Sequence, residues 1–270
     1  MARQALDALQ IRTRLVKLLR IAMEAARVAT VDSDLDRENR SRGASTPEEL
    51  ITWAHERYGE RLIASTSFGA TSAVMLHLIH RVAPRTRIVC IDTGYLFEET
   101  YQFANDLIKR LDLDIRFYSP AMSAARQEAL NGKLWEQGED GVQRYLQINK
   151  VEPMQRALRE LGAEAWMAGV RADQTEHRAG LRRIGRQDGR IKIHPILRWT
   201  SEDIENYMRE HDLPYHPLVE QGYRSIGDHH STIPTTDDMD PRDGRILGKK
   251  RECGLHLTEE ENQSLKSSGL

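Results

Sequence analysis

The chain has 270 residues, 39% of them hydrophobic, and its 39 Lys and Arg nearly balance its 41 Asp and Glu. This size allows one large α/β domain with appendages. The net charge of -2 gives no basic signal for nucleic acid, and no apolar run reaches the roughly 20 residues of a membrane-spanning helix. Two cysteines cannot build a disulfide framework or a four-cysteine metal site, and with the lack of a secretory apolar core they favour a reducing, cytoplasmic setting.

Leucines recur at helical spacing near the N-terminus and predict a helix over residues 4–29. Its other face is basic, as in a mitochondrial transit peptide, but Asp7, Glu24 and the lack of Ser favour a packing helix. Residues 31–43 are charged and are predicted to form an irregular linker. The predicted organisation has three parts: an N-terminal helix with its linker (1–44), an α/β domain (45–235) and a C-terminal arm (236–270).

From residue 45 onwards, short apolar strands alternate with amphipathic helices. Residues 45–49, Ser-Thr-Pro-Glu-Glu, begin a helix with a capping hydroxyl and acidic residues in its first turn, and Gly59 ends it. This alternation predicts a parallel sheet with helices on both faces. The predicted strands are 61–66, 87–92, 114–118, 165–170 and 191–196; further helices are predicted over 73–82, 98–111, 152–161 and 200–211, and an ordered loop over 212–239.

Three loops follow predicted strands, and ligands of open parallel sheets bind at the carboxyl ends of strands. The loop 65–72 offers hydroxyls and a helix N-terminus for an anion, although the hydroxyls could also serve only as helix caps. In the next loop Asp92 could hold a ribose hydroxyl or an amine, and Gly94 permits close approach; an ordinary turn with Thr93 as its cap is the alternative. The arginines of 171–178 suit phosphate or sulfate, with a solvated charge run as the alternative.

Residues 249–256 read Lys-Lys-Arg-Glu-Cys-Gly-Leu-His and carry the most distinctive chemistry of the chain. The cations favour the nucleophilic thiolate form of Cys253, and His256 follows three residues later. A solvated basic run that happens to contain a cysteine is the alternative. The polar segment 257–270 has little to bury and is predicted to be a mobile tail. The other thiol, Cys90, falls in an apolar strand and is predicted to be a buried, inert core residue.

Four histidines and an aspartate in the second half of the chain raise the question of a metal site. Their spacing matches no H-E-x-x-H or C2H2 pattern, so no metal is predicted. The histidines are expected to make loop hydrogen bonds or to contact substrate. These residues are His211, His216, Asp228, His229 and His230.

Together the segments over about residues 47–256 resemble the phosphoadenylyl-sulfate reductase family, thioredoxin-dependent enzymes of assimilatory sulfate reduction. The motifs are Ser-Thr-Ser-Phe-Gly (65–69), Thr-Gly-Tyr-Leu-Phe-Glu-Glu-Thr-Tyr (93–101), Gly-Lys-Leu-Trp-Glu-Gln-Gly (132–138), Asn-Lys-Val-Glu-Pro-Met (149–154), Tyr-His-Pro-Leu (215–218) and, most specific, Lys-Arg-Glu-Cys-Gly-Leu-His (250–256). The resemblance implies an adenine nucleotide α-hydrolase-like fold, related to the ATP-pyrophosphatase enzymes. That wider group has Ser-Gly-Gly-x-Asp-Ser where residues 67–72 read Ser-Phe-Gly-Ala-Thr-Ser, a difference that favours a sulfonucleotide over ATP with Mg²⁺.

The same resemblance implies a mechanism in which the thiolate of Cys253, supported by Arg251 and His256, attacks the sulfur of 3′-phosphoadenylyl sulfate. An S-sulfocysteine forms, and thioredoxin (or glutaredoxin) releases sulfite from it. The implied substrate-binding residues are Ser65, Ser67, Phe68, Gly69, Thr71, Ser72, Asp92, Thr93, Gly94, Lys150, Arg171 and Arg178. A homodimer is expected, with neither nucleic acid nor a membrane as partner.

Relatives that reduce adenylyl sulfate, which lacks the 3′-phosphate, mostly hold a 4Fe–4S cluster through a Cys-Cys pair and a Cys-x-x-Cys motif. This chain has no Cys at 145–149 and no Cys-x-x-Cys, and two cysteines cannot supply four thiolates. We therefore expect no bound cofactor, which favours the 3′-phosphorylated substrate. The alternatives are a cluster-free adenylyl-sulfate reductase, an ATP-dependent adenylating enzyme of the same fold, and a noncatalytic redox-sensing or nucleotide-binding module.

Overall fold

The computed structural model describes residues 14, 16–17, 33–236, 238–245 and 254–256. By its internal contacts the chain forms two compact units, Met1–Ala44 and Ser45–Leu270. Of the helix predicted over 4–29, only residues 14, 16 and 17 are described, and they are helical. The predicted mobile tail lies outside the described residues, and a separate C-terminal arm stays a prediction.

Residues 33–41 of the first unit are helical, so the prediction of an irregular linker over 31–43 is wrong. Oppositely charged side chains three or four residues apart lie on the same side of a helix and stabilise it. Two such ion pairs occur here, each at 2.9 Å: Arg37 with Asp34 and Arg42 with Glu38. The density of charge that suggested a linker is therefore the polar surface of a helix.

The second unit is built on a mostly parallel sheet. Its described strands are β1 Leu62–Thr66, β2 Arg87–Ile91, β3 Ile115–Tyr118, β4 Ala165–Ala168, β5 Ile184–Gln187 and β6 Arg190–Ile193, in the spatial order β3-β2-β1-β4-β6-β5. Every neighbouring pair is parallel except β5 with β6. The sequence pattern did not predict β5. The turn that joins it to β6 consists of Asp188 and Gly189, both with positive φ, which matches the twist of a hairpin.

The described helices of this unit are α1 Pro47–Tyr58, α2 Ser72–Val82, α3 Glu98–Leu111, α4 Ala124–Asn131, α5 Gly138–Leu146, α6 Glu152–Glu160, α7 Glu176–Ala179 and α8 Ser201–Glu210. The predicted start of α1 is confirmed: Glu49 N donates to Thr46 Oγ1 at 3.2 Å, and Thr46 N donates to Glu49 Oε2 at 2.8 Å. The sequence pattern did not predict α4, α5 or the four-residue α7. Among the described helices, none is long and apolar enough to cross a membrane.

Helices cover both faces of the sheet because of the order in which the chain visits the strands. From β1 the chain passes to β2 and then to β3, and right-handed crossovers place α2 and α3 on one face. It then returns across the sheet to β4, which places α6 on the opposite face. There Ile63, Val89 and Trp166 pack against Met154 and Leu158 of α6. The predicted α/β fold with helices on both faces is confirmed.

A π-helical turn, Gln147–Val151, joins α5 to α6 and carries Lys150. Such turns often occur at functional sites, because the extra residue redirects side chains. The approach of α5 to the preceding turn, Leu134–Glu136, depends on Gly141. A β-carbon at this glycine would lie 2.2 Å from Leu134 O and 2.7 Å from Gln137 Cβ. Gly141 therefore allows α5 to pack closely against this turn.

Gly141→Ala is expected to lower the free energy of unfolding by about 1–3 kcal/mol, the usual cost of overpacking, because backbone atoms must move to make room. Urea denaturation followed by circular dichroism measures the change. Gly185→Ala in β5 is the matched control, since an added β-carbon there meets nothing within 4 Å. Its effect should stay within about 0.5 kcal/mol. Equal losses in the two variants would contradict the role given to Gly141.

Candidate active site

A cleft opens at the carboxyl ends of β1, β2 and β4, the sheet edge at which the sequence predicts a ligand. Ten of the predicted site residues line it: Ser65, Ser67, Gly69, Thr71, Ser72, Thr93, Lys150, Arg171, Arg178 and His256. The described part of its lining includes six Lys and Arg side chains and no carboxylate, although the whole chain has a net charge of -2. The cleft is therefore suited to an anionic ligand.

The turn between β1 and α2 is held in shape by Phe68. This residue has a φ of +46°, in the left-handed region that favours glycine. Its backbone N–H donates to Thr66 Oγ1 at 3.1 Å, and its fully buried ring stacks on Phe117 with 6.5 Å between centroids. Phe68 does not line the cleft. It supports the turn from the core, whereas Ser67 and Gly69 on either side of it face the cleft.

The first turn of α2 presents hydroxyl groups to the cleft. Thr71 is the N-cap residue, yet its side chain makes no capping hydrogen bond. Ser72 Oγ is buried and has no hydrogen-bond partner in the part of the chain that the structure describes. These hydroxyls therefore do not serve as caps. A buried hydroxyl without a partner is costly, so Ser72 together with the positive end of the helix favours a bound anion.

A buried ion pair stands on another side of the cleft. Lys150 Nζ lies 2.7 Å from Asp228 Oδ2, and Thr93 Oγ1 donates to Asp228 Oδ1 at 2.7 Å. The side chains of Lys150 and Asp228 are only 11% and 3% exposed. Burial raises the pKa of the Asp228 carboxyl, but the charge of Lys150 and the hydrogen bonds from Lys150 and Thr93 outweigh it and hold the pKa below its usual range. The aspartate is therefore ionised at neutral pH.

Asp92 and Gly94 do not line the cleft, although the sequence placed them in it. Asp92 Oδ1 accepts hydrogen bonds from Gly94 N at 2.9 Å and from Tyr101 OH at 2.7 Å. The carboxylate thus closes its own turn, a common use of aspartate. Thr93 lines the cleft without capping a helix: besides donating to Asp228, its hydroxyl accepts from Tyr95 N at 3.2 Å.

The two predicted arginines line the cleft with their side chains packed against protein. Arg171 and Arg178 are 9% and 5% exposed, so the alternative of a solvated charge run is wrong. Arg171 Nε and one Nη donate to the carboxylate of Asp173 at 3.0 and 3.3 Å, and the same Nη donates to Ser201 Oγ at 3.1 Å. Arg178 donates to Gln174 Oε1. Much of the charge of Arg171 is therefore already neutralised within the protein.

One side of the cleft was not predicted from the sequence and is formed by residues 224–227 together with Arg242 and Arg245. Arg245 donates to Ile226 O at 2.7 Å. A β-carbon at Gly227 would lie 2.3 Å from an Nη of Arg245, so the glycine lets the guanidinium cross close to the backbone. Gly227 falls in the predicted ordered loop 212–239, and Arg242 and Arg245 fall in the predicted C-terminal arm, so the sequence did not bring them together.

Residues 254–256 bring the C-terminal segment to the cleft. Leu255 packs against the apolar cluster on α6, and Gln187 Nε2 donates to Leu255 O at 2.9 Å. The ring of His256 lies 5.9 Å from that of Trp166. Burial, followed by the charges of Lys192 and Arg178, holds the pKa of His256 well below its usual range, so the imidazole is neutral at neutral pH.

The predicted nucleophile Cys253 and the predicted supporting residue Arg251 lie outside the described residues, and their roles stay predictions. The other thiol, Cys90, is fully buried in β2, as predicted. Burial, and to a lesser degree the charge of Asp92, raises the pKa of the Cys90 thiol to about 12. Because the thiolate is the nucleophile, Cys90 is unreactive in the folded protein.

No group of three His, Cys, Asp or Glu residues suited to a metal ion occurs within the described residues. Of the histidines in question, His216 makes loop hydrogen bonds: its Nε2 lies 3.0 Å from Thr100 Oγ1, and its Nδ1 accepts from Leu218 N at 3.2 Å. His230 stacks on Trp135, with 3.7 Å between the ring centroids. The prediction of loop hydrogen bonds is confirmed for His216, whereas neither ring nitrogen of His230 has a hydrogen-bond partner among the described residues.

Residues 61–234 match the family model described as phosphoadenosine phosphosulfate reductase domain. A phosphoadenosine 5′-phosphosulfate reductase of Synechocystis sp. is 51% identical over 230 residues, which cover 84% of this chain and 92% of that protein. A protein of the same name from Alkalilimnicola ehrlichii is 48% identical over 223 residues, or 83% and 91% of the two chains.

Solved structures give a similar result. The phosphoadenylyl-sulfate reductase of Candida auris, in a phosphate complex, superposes with a TM-score of 0.66 at 32% identity over 74% of this chain and 96% of that one. The FMN adenylyltransferase of Candida glabrata, in complex with FMN and an ATP analogue, gives 0.52 at 14% identity over 82% and 81%. The second likeness concerns the fold alone. The predicted adenine nucleotide α-hydrolase-like fold is confirmed.

Proposed function

Because this chain belongs to the phosphoadenosine phosphosulfate reductase family, we propose that it reduces 3′-phosphoadenylyl sulfate to sulfite and adenosine 3′,5′-bisphosphate, with thioredoxin as the reductant. One observation carries the proposal. The start of α2, Lys150, the arginines and residues 254–256 all lie at one cleft, and the described lining of this cleft has no carboxylate. A substrate with a phosphosulfate group and a second phosphate needs several cations. The segment 254–256 directly follows the proposed nucleophile Cys253.

In the first step the thiolate of Cys253 attacks the sulfur of the sulfonyl group. An S–S bond forms, the bond from sulfur to the phosphate oxygen breaks, and adenosine 3′,5′-bisphosphate leaves with the electron pair. Ser72 and the N–H groups at the start of α2 bind the phosphosulfate. Lys150 and Arg178 stabilise the negative charge that develops on the leaving phosphate, a role for which their buried setting is suited.

In the second step a thiolate of thioredoxin attacks the sulfur of Cys253 and sulfite leaves with the electron pair of the S–S bond. A mixed disulfide with thioredoxin remains, and the second thioredoxin thiol resolves it and frees Cys253. The two electrons thus come from the thioredoxin dithiol, so one reactive cysteine on this chain is sufficient. Cys90 cannot take the place of the second thioredoxin thiol, because it is fully buried in β2.

The low pKa of His256 bears on how Cys253 is activated. A neutral imidazole with a depressed pKa is a poor proton acceptor at neutral pH, so His256 is suited to orienting the segment rather than to deprotonating the thiol. Positive charge is the other means of favouring a thiolate. Lys249, Lys250 and Arg251 supply it in the sequence next to Cys253.

We also propose that the protein works without a bound cofactor, in the cytoplasm and as a homodimer. Two cysteines cannot hold a 4Fe–4S cluster, which takes four thiolates. The low cysteine content suits a reducing compartment in which Cys253 stays a free thiol. These points follow from the sequence and the family, and glutaredoxin is the alternative reductant.

Cys253→Ser is expected to abolish sulfite production and to leave the affinity for adenosine 3′,5′-bisphosphate near that of the wild type. Nucleotide binding is retained because the arm that carries residue 253 need not hold the nucleoside. Sulfite production is lost because a serine hydroxyl cannot form the S–S bond that thioredoxin cleaves. Cys90→Ser is the matched control and should keep most of the activity, with some loss of stability from a buried hydroxyl. Sulfite release with thioredoxin and calorimetric titration are the measurements. Turnover by the Cys253 variant but not by the Cys90 variant would reverse the assignment.

Lys150→Ala and Arg178→Ala should each weaken the binding of adenosine 3′,5′-bisphosphate by about 1.5–3 kcal/mol, the range for hydrogen bonds to charged groups. Arg171→Ala should cost less, because it leaves the 37% exposed carboxylate of Asp173 in contact with solvent, whereas Lys150→Ala leaves the buried carboxylate of Asp228 unpaired beside the anion. Arg61→Ala, at an exposed surface ion pair, is the control and should have no effect. Calorimetric titration gives the four affinities. An unchanged affinity in both the Lys150 and the Arg178 variants would refute their role.

The choice of nucleotide is tested by steady-state kinetics with thioredoxin and either 3′-phosphoadenylyl sulfate or adenylyl sulfate. We expect the larger kcat/KM for the 3′-phosphorylated nucleotide, because the cleft has cations beyond those that one phosphosulfate needs. A larger kcat/KM for adenylyl sulfate would overturn this choice and leave the reductase assignment standing. Turnover that instead requires ATP and Mg²⁺ and releases pyrophosphate would select an adenylating enzyme.

A further inference from the structure

We propose that Asp228 is a positioning residue, which holds the ammonium group of Lys150 at the cleft and thereby sets the rate of the first chemical step. The inference rests on the proposed function, because it concerns the charge that develops when the nucleoside phosphate leaves. Asp228 does not itself line the cleft, whereas both residues that bond to its carboxylate do. Asp228 therefore holds two cleft residues in place without lining the cleft itself.

The ammonium group of Lys150 is held by a carboxylate that lies outside the lining of the cleft. Asp228 Oδ2 lies 2.7 Å from Lys150 Nζ, and the other carboxylate oxygen accepts from Thr93 Oγ1 at 2.7 Å. An ammonium group has three N–H donors, of which this contact engages one. Lysine has a flexible four-carbon stem, so without a fixed partner its charge would sample many positions. Asp228 restricts Lys150 to one position at the edge of the cleft.

The backbone of Asp228 is anchored as firmly as its carboxylate. It forms a β-bridge with Leu96, and His229 N donates to Tyr95 O at 2.8 Å. These contacts tie the segment that carries Asp228 to the loop between β2 and α3, which also carries Thr93. The carboxylate therefore connects that loop with the π-helical turn of Lys150, and it is 3% exposed.

The energetics argue that this pair serves more than stability. A buried ion pair often contributes no more to stability than well-packed apolar residues would, because both ions must be desolvated. An ammonium group already oriented before the reaction stabilises developing charge without reorganisation at that moment. The carboxylate also offsets the attraction of Lys150 for an anion in the resting state. Asp228 should therefore contribute to the rate more than to nucleotide affinity.

The test is Asp228→Asn, which keeps the shape of the side chain and removes the charge that orients Lys150. We expect the single-turnover rate of S-sulfocysteine formation to fall on the order of 10–100-fold, as for a misplaced catalytic group. The affinity for adenosine 3′,5′-bisphosphate should stay within about threefold or become tighter, because the opposing negative charge is gone. A rate within about twofold of the wild type, or a loss confined to affinity, would overturn the proposal.

A double-mutant cycle with Lys150→Met separates positioning from a general structural role. If Asp228 acts through Lys150, Asp228→Asn should change the rate no more than about twofold once the lysine is replaced. Multiplicative losses in the double variant would overturn the inference. Glu164→Gln, which removes the same charge from an exposed ion pair with Arg61, is the control and should react at the wild-type rate.

Thr93→Val provides a second variant should Asp228→Asn fail to fold. It withdraws the other hydrogen bond that fixes the carboxylate and leaves both charges in place. A several-fold slower single turnover is expected, with the affinity for adenosine 3′,5′-bisphosphate measured beside it because Thr93 itself lines the cleft, and an unchanged rate would count against the proposal. The wild-type measurement distinguishes this inference from the proposed function. If the wild-type protein forms no S-sulfocysteine, the proposed function itself fails. If the Asp228 variant reacts at the normal rate, only this inference fails.

Discussion

The parallel pairing of β1 with both of its neighbours is the constraint on which the site depends. Ser65 pairs in register with Val89 of β2 on one side and with Ala168 of β4 on the other. The three strands therefore end at nearly the same level, and the loops that follow them emerge at one edge. Because the chain leaves β1 towards β2 and returns to its other side at β4, the helices lie on opposite faces and the loops diverge into a cleft.

The affinity of the cleft for anions depends on how positive and negative side chains are distributed around it. Its described lining carries cations without carboxylates, while the acidic groups that bond to two of these cations, Asp228 and Asp173, stay outside the lining. Each acid fixes a long basic side chain that would otherwise be flexible. The arrangement separates the charges that face the ligand from those that set geometry, and it explains how a chain of nearly neutral net charge can present a site for a polyanion.

Local patterns in the sequence predicted those features that local physics determines. The alternation of apolar strands and amphipathic helices predicted the layered sheet, and the apolar surroundings of Cys90 predicted its burial. The Asp-Gly pair at 188–189 is a recognised hairpin signal and could have located β5. The helix at 33–41 was missed because most of its residues are charged, and opposite charges three or four positions apart were not weighed as a helix signal.

Other features depend on contacts between distant residues, and the sequence could not reveal them. Arg245 reaches the cleft only because Gly227 leaves space for it, and Asp228 meets Lys150 across 78 positions of the chain. Phe68 stands where the ATP-pyrophosphatase motif has a glycine, and from the sequence this difference predicted only a change of ligand. The structure shows that the backbone keeps a glycine-like conformation, which the ring stabilises by packing against Phe117. A substitution can thus preserve the shape of a turn while altering what supports it.

The central claim is that Cys253 accepts the sulfonyl group of a nucleotide held in this cleft. Its most direct test is intact-mass spectrometry after mixing the reduced protein with 3′-phosphoadenylyl sulfate in the absence of thioredoxin. The account predicts the addition of one SO₃ group, located by peptide mapping on Cys253 and removed as sulfite when thioredoxin is added. An unmodified protein, or a sulfonyl group on any other residue, would contradict it.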